Sequence, residues 1–180
     1  MTDSQLLYRP IDVDAVPATG QAVHIEAEPD ERTAIAEAFR VDEVRMLQAD
    51  FELRREEGRN RALSLEGRVK AEIVQTCVVS LEPIVQAIDE SVAVRFAARE
   101  PEKPRHGAEV RVDPEVEPPE ALVGGTLDVG AVALEHFALV IDPYPRAPGA
   151  ELPPEAKASE ADKPDSPFAA LASLKREADR

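Results

Sequence analysis

The single cysteine of the chain, Cys77, is the residue best suited to nucleophilic or metal chemistry. Each kind of chemistry needs partner residues, and the sequence shows which candidates exist. A zinc site normally needs four ligands, and the candidate partners are only His24, His106 and His136, with no Cys-x-x-Cys spacing. A catalytic thiol needs a base beside it, and the sequence cannot place any histidine beside Cys77. We therefore interpret Cys77 as a small buried side chain at the end of a strand, and we predict neither a metal site nor a cofactor.

The other polar residues do not form a catalytic or nucleotide-binding pattern either. His136 stands alone in a predicted helix, where a histidine is usually packed or solvated. The acidic runs Glu26–Glu31 and Glu109–Glu120 lack the Asp-x-Asp-x-Asp-Gly order of a calcium loop and contain prolines, so we interpret them as solvated loops. Gly124-Gly125 does not follow the spacing of a phosphate-binding loop. We predict that the protein is not an enzyme.

The net charge argues against tight binding to naked nucleic acid. The 180 residues include 21 basic and 36 acidic side chains, which gives a formal charge of -15. A charge of this sign repels phosphate backbones, and autonomous nucleic-acid-binding domains normally carry a basic patch. Four arginines do cluster around a predicted turn, and two interpretations are open: a local contact to RNA phosphate, or an ordinary charged turn balanced by neighbouring glutamates, which the interleaved signs favour. These arginines are Arg54, Arg55, Arg59 and Arg61.

The expected location follows from cysteine usage and from the apolar segments. A single cysteine excludes an intrachain disulfide framework and fits a reducing compartment. The segment Met1–Pro10 has no basic stretch followed by an apolar one, so no secretory signal is predicted. No apolar run approaches the roughly 20 residues that cross a bilayer. We expect a cytoplasmic protein with no membrane partner.

Hydrophobic periodicity predicts the elements that position these residues. Val23 and Ile25 alternate with polar residues and predict a short strand. A short helix is predicted to follow this strand, because Ile35, Ala38 and Phe39 recur at helical spacing and acidic residues lie in the first turn of the helix.

Three longer segments alternate apolar and polar residues with the period of two that is typical of half-buried strands. The first covers residues 47–53, the second runs from Leu63 to Cys77, and the third runs from Ile88 to Phe96. Short reversals join them, one around residues 57–60 and one in a loop that holds Pro83. We therefore predict an antiparallel meander with one face in water.

The composition changes after Ala98. Residues 99–120 are rich in proline and glutamate and poor in apolar side chains, so we predict a mobile acidic loop. Asp128 is the predicted N-cap of an amphipathic helix that continues to about Ile141, where two prolines stop it. Two faces of this helix are apolar enough to contact the core: Val129, Val132, Ala133, Phe137 and Val140, or Leu134, Ala138 and Ile141.

These elements predict one α+β domain over residues 1–147, an antiparallel meander sheet with packed helices. Residues 148–166 are predicted to be a disordered linker, and residues 167–180 a short amphipathic helix with Phe168, Leu171 and Leu174 on its apolar face. A tethered apolar helix can dock into a partner's groove or fold back on its own sheet, and the sequence does not choose between them.

Three segments carry a resemblance to a known family: Gln75–Pro83, Asp142–Arg146 and Pro167–Lys175. With them the chain resembles the YceD family, the large ribosomal RNA subunit accumulation proteins of bacteria and plastids, from about Val41 to Lys175. Other positions match the remaining family pattern and are interpreted as mainly structural. The matching positions singled out are Cys77, Leu81, Pro83, Glu90, Phe96, Asp128, Pro143 and Pro145.

The chain departs from that family pattern at one informative place. Many relatives look like they have Cys-x-x-Cys-Leu where this chain has Cys77, Ser80 and Leu81, and they add later cysteines that this chain lacks. Any metal role of those relatives is therefore not carried over.

The resemblance implies a non-enzymatic factor that supports large-subunit ribosomal RNA accumulation and ribosome assembly. The implied partners are a precursor of the large ribosomal subunit and a ribosomal or assembly protein, and direct contact with ribosomal RNA stays open. Two alternatives from other classes are a protein-binding adaptor unrelated to ribosomes and a small hydrolase, which would need a clustered polar site.

Overall fold

The structure, a computed structural model, describes residues 6–56, 62–98, 119–122 and 124–151. The predicted turn over residues 57–60, the loop up to residue 118, residues 152–166 of the linker and the C-terminal helix lie outside the described residues. In chain order the elements are β1 (Pro10–Asp12), a short 3-10 helix (Val13–Ala15), β2 (Gln21–Glu26), α1 (Pro29–Phe39), β3 (Glu43–Arg55), β4 (Leu63–Thr76), β5 (Pro83–Ala98), β6 (Glu120–Leu122), β7 (Thr126–Asp128) and α2 (Val129–Val140).

A five-stranded sheet in the order β2-β3-β4-β5-β6 forms the centre of the described fold. The first four strands pair antiparallel in sequence order, and β6 adds to β5 in parallel. A second, two-stranded sheet joins β1 to β7. The predicted α+β fold with an antiparallel meander is therefore confirmed. β3 and β5 are longer than their alternating segments because they begin before the alternation becomes regular, whereas β4 ends one residue before the predicted Cys77.

The predicted alternation decides which face of the sheet is buried. Leu65, Val69 and Ile73 of β4 have no exposed surface, whereas the even-numbered side chains between them face solvent or are half-buried. Gly67 interrupts this inner row because β3 comes too close for a side chain: a Cβ there would lie 2.0 Å from the backbone oxygen of Asp50. The sheet therefore has one dry face, and the helices pack against it.

The two helices of the described part meet on the dry face, where the rings of Phe39 and Phe137 contact edge to face with centroids 5.6 Å apart. Ala36 is buried beside Ile35, whereas Ala38, which the helical spacing groups with Ile35 and Phe39, is exposed. Ile35, Ala36 and Phe39 lie within an arc of about 100° on a helix of 3.6 residues per turn, and Ala38 lies outside that arc.

The N-cap of α2 is Asp128, as predicted, and its Oδ1 accepts hydrogen bonds from the N–H groups of Gly130 and Ala131. Of the two apolar faces, the one that begins at Val129 is buried as far as Phe137, together with Leu134, and its last member, Val140, is half-buried. None of the helices in the described part is long and apolar enough to cross a bilayer.

Candidate partner-binding surface

The β4–β5 connection, residues 77–82, is a tight turn that holds an apolar side chain in an unusual conformation. The N–H of Cys77 donates to the carbonyl oxygen of Glu82 at 2.8 Å, and the N–H of Leu81 donates to that of Cys77 at 2.9 Å. Leu81 has a φ of 61°, in the left-handed region, and 75% of its surface is exposed. Pro83 follows directly as the first residue of β5.

The segment after α2 folds against this turn through hydrogen bonds. The carbonyl oxygen of Pro145 accepts from the N–H of Val78 at 2.9 Å, and that of Asp142 accepts from the Nε2 of Gln75 at 3.0 Å. The Asp142 carboxylate also accepts from the N–H of Tyr144 at 2.8 Å, which shapes the segment itself. Two of the three segments that carry the family resemblance are thus neighbours in space, although 58 residues, from 84 to 141, lie between them along the chain.

The Cys77 thiol lies where the turn meets the later segment. Its Sγ accepts a hydrogen bond from the N–H of Ala147 at 3.2 Å and another from the N–H of Ser80 at 3.4 Å, and no surface of the side chain is exposed. Donors that favour the charged form, Ala147 first, lower the pKa of Cys77 to about 6 against the opposing effect of burial. The sulfur therefore acts as an acceptor that joins the two segments.

Four exposed apolar side chains belong to the turn, to the start of β5 and to the segment after α2, and we call them the turn surface: Val78, Leu81, Val85 and Tyr144. Between 46% and 75% of each is exposed. Isolated exposed apolar residues are ordinary, but several on adjoining segments are typical of an interaction site. The charged residues of these two segments are three acids and one base: Glu82, Asp142, Glu151 and Arg146.

The fold does not explain why residue 81 is a leucine. The left-handed conformation costs an L-residue with a side chain roughly 1–2 kcal/mol, and glycine or asparagine is the usual occupant. No burial offsets that cost, because the side chain is among the most exposed apolar groups of the described chain. A strained and exposed leucine favours a role in contact with another molecule.

The remaining residues that match the family pattern support the fold. Phe96 is buried in β5 opposite Leu63, and Glu90 is half-buried opposite Val69. Asp128 caps α2 and also accepts the N–H of Arg9 at 2.9 Å, which fixes the N-terminal segment against the helix. These three positions lie away from the turn surface and hold elements together.

The described arginines of the candidate RNA contact have partners inside the chain. Arg54 donates to the Glu52 carboxylate at 2.7 Å, and the Arg55 guanidinium donates to the backbone carbonyls of Val13 and Asp14. Arg59 and Arg61 lie outside the described residues, as do the candidate partner-binding residues Phe168, Leu171 and Leu174.

An open depression of about 570 Å³ lies on the wet face of the sheet, beside Gly67. Among its lining residues, His24 Nδ1 lies 2.6 Å from the Asp50 carboxylate, and Glu52 is paired across the strands with Glu66. The His24 and Asp50 side chains are both more than half exposed, and neither has a nucleophile as a hydrogen-bond partner. Across the described ranges, no three side chains of His, Cys, Asp or Glu are grouped so that they could hold a metal ion.

Sequence reasoning singled out Leu81 but missed the other three members of the turn surface. Val85 did carry a signal, because it is an apolar residue at a position whose neighbours on the same face, Ala87, Asp89 and Ser91, are small or polar. Tyr144 lies inside the segment Asp142–Arg146, which carries part of the family resemblance, but the matching positions singled out in it are the two prolines. The exposure of the Tyr144 side chain depends on the path that the chain takes after α2, and local sequence patterns do not predict that path.

A family model described as "Large ribosomal RNA subunit accumulation protein YceD" matches residues 65–175. The match covers the greater part of the chain and includes the turn, the segment after α2 and the C-terminal segment quoted above. A search of curated proteins and a search of solved structures each find no match.

Proposed function

The chain belongs to the YceD family of large ribosomal RNA subunit accumulation proteins, and from that premise we propose that it supports accumulation of large-subunit ribosomal RNA as a non-enzymatic, cytoplasmic assembly factor. The observation that carries the proposal is the turn surface, where the strained and exposed Leu81 lies beside the segment of Tyr144. A surface built from two family-matching segments favours binding to a partner over catalysis.

The charge of the chain favours a basic protein as that partner. At -15 the chain repels naked RNA and attracts the basic proteins that coat it. Long-range attraction speeds the encounter, and apolar anchors determine how long the complex lasts. We assign the anchoring role to the turn surface and, as a second candidate, to Phe168, Leu171 and Leu174 near the C-terminus. The partner in this proposal is a ribosomal or assembly protein on a precursor of the large subunit.

Two other functions make different demands on the described surface. A hydrolase needs a nucleophile, a base and a group that orients them within hydrogen-bond reach, and the pair His24–Asp50 lacks the first. An adaptor unrelated to ribosomes would use the same turn surface, so it is distinguished by what the protein binds and not by its shape.

The double variant Leu81→Gly, Tyr144→Ser tests the assignment. Burial of one such apolar side chain contributes about 1.5–3 kcal/mol, so the double variant should reduce co-sedimentation with immature large subunits at least about tenfold. The fold should tolerate the change, because glycine relieves the left-handed strain at residue 81 and both side chains are exposed. Expression in cells that lack the native protein should then fail to restore large-subunit ribosomal RNA.

The matched control is Tyr8→Ser, which removes the same kind of side chain, 58% exposed, from the N-terminal segment. It should sediment with immature subunits like the unaltered protein. Equal sedimentation of the double variant and the control would place the binding site elsewhere, and enrichment of partners without any pre-ribosomal RNA would favour the adaptor.

A further inference from the structure

Most of β5 is paired on one side only. The strand runs from Pro83 to Ala98, and β4 pairs with it from Pro83 to Phe96. On its other side β6 pairs with Phe96–Ala98 alone. Within the described part of the chain, residues 84–95 therefore form an edge with no strand beside it.

The register shows which backbone groups face away from β4. Cys77 and Glu82 are a hydrogen-bonded pair at the turn, and the β4–β5 register continues from them without a bulge. Hydrogen-bonded pairs alternate with non-bonded pairs along an antiparallel ladder, so even-numbered residues of β5 bond to β4 and odd-numbered residues direct N–H and C=O outward. Pro83 agrees with this assignment, because a proline without an N–H is tolerated where that group would face outward.

Five residues thus present both backbone groups at the edge: Val85, Ala87, Asp89, Ser91 and Ala93. The parallel pairing of Phe96 with Glu120 uses the carbonyl oxygen of Arg95, so β6 closes the edge there. The side chains of the five residues all lie on the wet face and are exposed. None of the hydrogen bonds recorded among the described residues uses these backbone groups.

The edge lacks the features by which proteins usually discourage strand addition. Bulges, prolines and free charges serve that purpose, yet beyond Pro83 the edge has neither a proline nor a break in register. Its two charged odd-numbered side chains are paired within the sheet, Asp89 with Arg68 at 2.8 Å and Arg95 with Glu56 at 2.6 Å. A neighbouring strand would meet small side chains and neutralised charges.

We propose that the outer edge of β5, from Val85 to Ala93, binds an extended, basic segment of the partner by strand addition. Such binding uses main-chain hydrogen bonds for affinity and alternate side chains for selectivity. The charge of -15 favours a lysine- or arginine-rich segment and opposes a second copy of this chain. Val85 belongs to both the edge and the turn surface, so an added strand would continue directly from that surface. The inference rests on the proposed function for the identity of the partner, but the edge itself can be tested alone.

A synthetic peptide of about ten residues, near the upper length of ordinary strands, with lysine alternating with valine, is the probe. Two further peptides carry N-methyl groups on alternate residues, one on the odd set and one on the even set. An added strand offers only one set of amides to β5, so one methylated peptide should bind the full-length protein like the parent peptide and the other at least tenfold more weakly. Equal affinity of all three peptides, or no binding of the parent, would overturn the proposal.

Substitutions at the edge provide the complementary measurement. Ala87→Pro and Ala93→Pro each remove an outward N–H while leaving the bonds to β4, and Ala87→Val and Ala93→Val keep it as matched controls. We expect the proline pair to bind the peptide at least about tenfold more weakly than the valine pair, because two backbone hydrogen bonds are lost. Equal binding of folded proline and valine variants would refute strand addition.

Amide hydrogen exchange of the unaltered protein remains decisive if the proline variants do not fold. The amides of Val85, Ala87, Asp89, Ser91 and Ala93 should exchange quickly in the free protein and slowly with the peptide, whereas the even-numbered amides of β5 should be slow in both. Protection of the odd-numbered amides without peptide would show that another part of the chain, or a second copy, already covers the edge, and it would overturn the proposal.

Failure of this inference and failure of the proposed function give different results. If immature subunits bind the proline variants as well as the valine variants, the edge is not used while the ribosomal function stands. If the peptide binds as described but immature subunits do not bind the protein, the edge accepts a basic strand and the ribosomal assignment fails.

Discussion

Cys77 and Leu81 lie in the same turn, and the fold accounts for only one of them. The Cys77 sulfur accepts backbone N–H groups from two segments and is fully buried, so its position follows from the packing around it. Leu81 is strained and exposed, so its identity points to a partner. At the scale of single residues, burial with satisfied hydrogen bonds separates a structural role from a binding role.

The lowered pKa of Cys77 predicts a pH dependence of stability. The thiol titrates at about 6 in the fold and near 8.5 when unfolded, so the unfolded state binds more protons between these values. The free energy of unfolding should therefore rise with pH across this window, and the contribution is lost as the pH falls through about 6. Urea denaturation of the reduced protein and of Cys77→Ser at several pH values measures it, and the difference between the two should widen toward pH 9. Parallel curves would contradict the thiolate assignment.

The absence of further cysteines predicts how Cys77→Ser behaves in cells. A sulfur that serves only as a hydrogen-bond acceptor can be replaced by an oxygen, so the variant should restore large-subunit ribosomal RNA as well as the unaltered protein. Elemental analysis of the purified protein should find no stoichiometric zinc. About one zinc per chain, as in a closed structural site, would show that other residues complete a zinc site with Cys77.

At the scale of elements, the N-terminus of α2 is the most constrained junction of the fold. Gly130 lies in the first turn of the helix, where a Cβ would approach the backbone oxygen of Leu7 to 1.7 Å. The N–H of Val129 donates to the carbonyl of Arg9 at 3.1 Å, and this hydrogen bond holds the N-terminal segment close to the start of α2. The glycine is therefore required by close approach and not by its own backbone angles.

Gly130→Ala should destabilise the protein although alanine is the better helix former. Helix propensity favours alanine by about 1 kcal/mol, but the contact with the Leu7 backbone forces a shift of the N-terminal segment and costs more, about 1–3 kcal/mol for overpacking. A lowered midpoint of thermal unfolding would show that sterics prevail. As the control, Ala131→Gly in the same turn should lower stability by propensity alone, and a stabilised Gly130→Ala would show that the close contact is absent.

The elements that the sequence predicts are those with enough repeats of a pattern. The alternation in β3, β4 and β5 and the capping residue Asp128 are local signals, and the structure confirms them. Three-residue strands such as β6 and β7 contain too little alternation to detect. The parallel pairing of β6 with β5 and the hydrogen bond from Val78 to Pro145 join distant parts of the chain, so the turn surface and the open edge could not be predicted from local periodicity.

At the scale of the whole molecule, the charge of -15 governs which contacts are strong. Purified protein should bind protein-free ribosomal RNA weakly, because its net negative charge repels the phosphate backbone. Filter binding at low and physiological salt measures the affinity for protein-free ribosomal RNA. A second experiment tests the C-terminal anchor: the chain is truncated before Ser166, and its sedimentation with immature subunits is compared with that of the full chain. Tight, salt-sensitive binding that survives the truncation and is abolished by neutralising Arg54, Arg55, Arg59 and Arg61 would transfer the site to that hairpin.

The pairing of β1 with β7 also determines when the N-terminal strand can pair during synthesis. Pro10 lies opposite Asp128, so the beginning of the chain has no strand partner until more than two thirds of it has been synthesised. Pairing across so long a separation is slow, and domains generally fold as units during synthesis. Leu7 and Val13, which are buried in the finished fold, should therefore stay accessible on the nascent chain. Chains arrested at residue 123 should be cut by protease near these residues, whereas chains released after residue 151 should be protected.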